Sequence, residues 1–80
     1  DDGTDLAKQF EAKRAGGLIS RYLRGCPDFE RQVFLMRYYF GMSPSAIAKQ
    51  MKCGESKVKM TLMRTREKLA AYLTKEGIML

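Results

Sequence analysis

Apolar residues recur along this chain at spacings of three and four, and no stretch alternates apolar with polar residues as a half-buried strand would. That periodicity limits the chain to an all-α fold. Eighty residues suffice for one small domain that buries only about 60% of its unfolded surface, so the core must be built from a few amphipathic stripes. With 45% hydrophobic and 30% charged residues, the balance suits a folded soluble domain rather than a disordered chain.

The spacing predicts a first helix over about Asp5–Arg24, with Thr4 as N-cap and Leu6, Phe10, Leu18, Ile19, Tyr22 and Leu23 as its apolar positions. Gly16-Gly17 interrupts it, at about 1 kcal/mol per glycine relative to alanine. The packed domain is therefore expected over residues 18–76, with 1–17 as an interdomain linker or the frayed start of the first helix, and 77–80 as a tail. Cys26-Pro27-Asp28 marks the next boundary, because the residue before proline avoids the α region and proline suits a first helical turn. A second helix is expected over Asp28–Phe40. Phe29, Val33, Met36 and Phe40 share one stripe that Leu35 and Tyr39 widen, which predicts the most buried helix of the set. Gly41 supplies a left-handed end. Ser43 as N-cap and Pro44 at the first helical position open a third helix through Met51, with Ile47, Ala48 and Met51 inward. After the tight turn Lys52-Cys53-Gly54, a fourth helix starts at Glu55 or Ser56 and runs to about Thr74, stopped by Gly77.

Two helices joined by a three- to four-residue turn, the second long and basic, describe a helix-turn-helix within a four-helix, bundle-like domain. Ala48 is small where the second of the pair must cross, and Cys53, Val58 and Leu62 can fill the angle between them. At about 100° per residue, Val58, Leu62, Thr65, Leu69 and Leu73 fall in one sector of the last helix and face the core. Ser56, Lys59, Met60, Met63 and Arg64 spread over the opposite side, with Lys57, Arg66 and Lys68 on the flanks. The formal charge is +6, and its distribution is uneven: residues 1–30 hold five bases and six acids, whereas 43–68 hold seven bases and two acids. A basic patch of this kind attracts polyanions, nucleic acid above all. Arginine and lysine suit guanine edges and phosphates, serine suits either, and thioethers suit thymine methyls.

Other chemistries are poorly provided for. The chain has no histidine, and Cys26 and Cys53 stand far apart outside any metal-ligand spacing, so reduced thiols are expected rather than a disulfide, and no metal or cofactor. No nucleophile with a neighbouring base, no phosphate loop and no paired carboxylates on one helical face point to an enzyme. Neither a signal peptide nor an apolar run of about 18 residues is present, which predicts a cytoplasmic protein with no membrane partner.

The stretch FERQVFLMRYYFGMSPSAIAKQMKCGESKVKMTLMRTREKL resembles the C-terminal promoter-recognition domain, region four, of bacterial RNA polymerase sigma factors, the extracytoplasmic-function group in particular. The resemblance covers about Leu18–Leu73 and is carried by RQVFLMRYYFGMS, IAKQM and SKVKMTLMRTREKL. It implies docking in the major groove of the minus-35 promoter element together with a hold on the flap of the polymerase β subunit, with an anti-sigma factor as a further candidate partner, and a monomer. It places base contacts on Lys57, Lys59, Met60, Met63 and Arg64, and phosphate contacts on Ser43, Ser45 and Arg66; Ser56 joins them from the helical wheel. Gly54, Lys52 and Met60 depart from the residues usual at their positions in that family. The resemblance further implies a preceding domain for the minus-10 element, which residues 1–17 could not supply, so an excised domain is expected. Two other readings compete: the DNA-binding output domain of a response regulator, and a helix-turn-helix module that binds only protein, such as the polymerase flap or an anti-sigma factor.

Overall fold

The computed structural model describes residues 15–78, which contain helix and turns and no strand. Helix α1 covers residues 15–24, α2 is Asp28–Tyr38, α3 is Pro44–Met51 and α4 is Glu55–Lys75. The expected all-α, helix-turn-helix domain is thus present. Thr4, Leu6 and Phe10, assigned above to the first helix, lie outside the described residues. Gly16 and Gly17 are themselves helical, in the first described turn of α1, and nothing lies within 4 Å of where their Cβ atoms would stand.

The helix ends follow from local chemistry. Arg31 ties α1 to α2: its guanidinium donates to the Leu23 carbonyl at 3.2 Å and the Cys26 carbonyl at 3.3 Å, and it pairs with Asp28. It thereby satisfies acceptors that a helix C-terminus leaves open. Ser43 caps α3 by accepting from the Ala46 N–H at 3.1 Å, with Pro44 in the first turn. At the far end of α4, Gly77 takes φ 94° and donates its N–H to Thr74 at 3.0 Å, while the Ile78 N–H reaches the Leu73 carbonyl at 2.8 Å. These two bonds form a Schellman motif, whose hydrophobic contact is Ile78 packed with Leu73.

Two expectations about α2 are corrected. It ends at Tyr38 rather than Phe40, because the Tyr39 and Phe40 N–H groups both turn to the Leu35 carbonyl and Gly41, at φ 68°, reverses the chain. Phe40 therefore leaves the predicted inward stripe and is 73% exposed, and Tyr39 is exposed with it. Nor is α2 the most buried helix. It buries Val33 and Phe34, whereas α4 buries Val58, Leu62, Thr65, Leu69 and Leu73. The reason is position: α4 runs through both clusters of the core. Its first half packs with α2 and α3 around Val33, Ile47, Ala48, Val58 and Leu62, and its second half joins Leu23, Phe34, Leu69, Leu73 and Ile78. Ile78, placed in the tail by the sequence, belongs to this second cluster. Cys26 and Cys53 are free thiols, as expected, and half-buried, one against each cluster.

Candidate nucleic-acid interface

Helices α3 and α4 meet at a short turn whose geometry fixes the rest of the site. Lys52 closes α3 in the left-handed region at φ 56°, ψ 50°, and the Cys53 N–H returns to the Ala48 carbonyl at 3.0 Å. Ala48 is buried at the crossing and Val58 is wholly buried beneath it. Any side chain larger than a methyl at Ala48 would push the two helices apart, so the small residue there sets how α4 is presented. Gly54 stands at the N-cap of α4 and offers no side-chain cap.

With Val58, Leu62, Thr65, Leu69 and Leu73 turned inward, the opposite side of α4 is free. Ser56, Lys57, Lys59, Met60, Met63 and Arg64 are all exposed. Met60 is 45% and Met63 43% exposed, unusual for large apolar side chains on a helix with a core of its own. Ser43 and Ser45, also exposed, stand at the start of α3. The Ser43 oxygen is committed to the cap but its hydroxyl can still donate, and the free N–H groups of a helix start favour an anion. The described residues thus present eight of the nine sequence-derived candidates on α3 and the outer side of α4.

The ninth, Arg66, is differently placed. Its guanidinium donates to the Tyr38 hydroxyl at 2.6 Å and rims an apolar groove between α2 and α4 floored by Phe34, Leu69 and Leu73. The cations around the face are also not equivalent. Lys59 pairs with Glu55 at 3.0 Å, Lys57 lies 4.7 Å over the Phe29 ring, and Lys68 sits 3.9 Å from Glu30. Arg64 makes no hydrogen bond or ion pair among the described residues and is the most available of them. Pairs this exposed contribute little stability, on the order of 0–1 kcal/mol, so an incoming anion can displace them. The sequence reading missed two features: Glu55 as the residue that holds Lys59, although a Glu–Lys spacing of four signals it, and the Tyr38–Arg66 link, which joins residues distant in sequence.

Across the molecule, Tyr22 and Cys26 lie in an open cleft with Glu30 and Lys68. Burial, reinforced by the Cys26 side chain beside it, pushes the Tyr22 phenol up to about 12. Burial likewise raises the Cys26 thiol, which keeps it protonated and unreactive at neutral pH.

A family model described as Sigma-70, region 4 matches residues 19–69, more than half of the chain, and the match takes in α3 and the part of α4 that carries the exposed candidates. No curated protein and no solved structure matches the chain.

Proposed function

The chain belongs to the sigma-70 region 4 family, the domain through which sigma factors bind the minus-35 promoter element in transcription initiation, and on that premise we propose how this member does so. Helix α4 lies in the major groove with Lys57, Lys59, Met60, Met63 and Arg64 toward the bases, Ser56 at its entry, and Ser43 and Ser45 at the start of α3 on the phosphates. The observation that carries the reading is the two-sided character of α4, one edge wholly engaged in the core and the other basic and exposed. Arg66, drawn toward Tyr38, reaches a phosphate by exchanging that hydrogen bond for a charge-assisted one.

The second partner is the polymerase. The apolar groove edged by Tyr38 and Arg66 lies on the flank of α4, off its outer side, so a segment of the β flap can occupy it while DNA is bound. Such a protein works in the cytoplasm as a monomer on its promoter; no helix among the described residues is long and apolar enough to cross a membrane. The family match favours this reading over a response-regulator output domain.

Salt dependence tests the DNA reading against the module that binds only protein. Neutralising about four phosphates predicts a slope near −3.6 in a plot of log affinity against log salt. A flat response to salt would leave only the protein-binding reading, with the polymerase flap or an anti-sigma factor on the same surface.

A further inference from the structure

The outer side of α4 has an apolar centre with a polar margin. Met60 and Met63, close to half exposed, occupy the middle. In the free protein Lys59 pairs with Glu55 one turn back along the helix and Lys57 is held over Phe29, so both ammoniums stand to the side of the thioethers. From these positions we infer that Met60 and Met63 recognise the C5-methyl groups of thymines, a specificity that rests on the proposed seating of α4 in the major groove.

Spacing supports it. Residues three apart on a helix are separated by about 4.5 Å along its axis, comparable to the roughly 3.4 Å between successive bases of one strand, so two thioethers at this spacing can reach neighbouring base pairs. Chemistry supplies the discrimination. In the major groove thymine alone offers a methyl group, while guanine offers two acceptors and cytosine a donor. A thioether pressed on a guanine or cytosine edge would desolvate those groups with nothing to pair them, which is the costly outcome for a polar atom. Against thymine it buries a methyl. Ser43, Ser45 and Arg66 on the phosphates, with Arg64 beside the thioethers, keep the apolar centre on the base edges rather than on a protein partner.

The test begins with selection from a pool of random-sequence duplexes by the 80-residue chain. The selected duplex is then remade with uracil at each thymine in turn, a change that removes only the methyl. Thymine is expected at neighbouring positions of the selected site, and uracil there is expected to weaken binding about fourfold per contacted base, the equivalent of ~0.8 kcal/mol. Met60→Gln and Met63→Gln, both at exposed positions, should keep the fold by circular dichroism and bind thymine and uracil duplexes equally. A selected site without thymine overturns the inference, as does equal affinity for both duplexes while a scrambled one is still rejected; in either case promoter reading survives. Failure to enrich any sequence removes that reading and the inference together.

Discussion

Thr65 is wholly buried on the inner side of α4, and its hydroxyl oxygen finds no hydrogen-bond partner among the described residues. A hydroxyl desolvated in this way costs on the order of 1–3 kcal/mol, and valine has nearly its shape. Thr65→Val is therefore expected to stabilise the domain by about 1 kcal/mol, read as a rise of roughly 4–8 °C in thermal midpoint. A fall would mean that the hydroxyl bonds back to a carbonyl of the preceding turn. Arg64, the preceding residue of the same helix, is exposed and makes no hydrogen bond or ion pair among the described residues, so its loss should be felt in binding alone. Arg64→Ala is expected to weaken promoter binding by about 1–3 kcal/mol with an unchanged melting curve. Equal weakening on scrambled DNA would reassign it from a base edge to a phosphate. The wheel anticipated both residues' positions, because in a regular helix spacing alone sets direction. It could not anticipate Arg66, whose guanidinium is drawn aside by a tyrosine 28 positions away.

At the scale of elements, the ends of α4 repay attention because they set its register. The Schellman motif at its C-terminus depends on Gly77 at φ 94° and carries Ile78 into the core. A side chain in the left-handed region is disfavoured by roughly 1–2 kcal/mol. Gly77→Ala should thus lower stability by about that amount in a thermal melt, and no change would show that the C-terminal turn is not held. The glycine was legible as a stop signal; that the residue after it is buried was not, since a lone isoleucine near a terminus has no periodicity. Helix α2 teaches the same lesson in reverse. Phe40 fits an ideal wheel perfectly well and is nonetheless exposed, because the backbone leaves the helix two residues earlier. Phe34 lies off the predicted stripe and is buried, because α2 touches a different core cluster on each side.

For the molecule as a whole, the second cluster is what docks α1 onto the helix-turn-helix, and Tyr22 marks that junction. Its ring lies 5.4 Å from that of Tyr72 on α4, and its phenol titrates at about 12 instead of 10.0 because burial penalises the anion. The folded state holds the proton more tightly than the unfolded chain, so the stability tied to it is complete below pH 10 and drains away as pH rises toward 12. Unfolding free energy measured across that interval should decline, and Tyr22→Phe should shallow the decline. An unaltered slope in the variant would place the alkaline loss elsewhere. Docking α1 in this manner leaves free both the outer side of α4 and the apolar groove between α2 and α4, with Arg66 at the boundary between the two proposed partners.

Helix content, the turn at Lys52-Cys53-Gly54, the inward row of α4 and its basic outer row were all set by the order of residues, because short-range periodicity and capping are local properties that no distant contact needs to supply. The division of the core into two clusters, the burial of Phe34 and Ile78, the release of Phe40 to solvent and the diversion of Arg66 to Tyr38 arose only when the helices packed. Each depends on which surfaces meet across long separations in the chain, and on where the backbone leaves the ideal helix, neither of which residue spacing encodes.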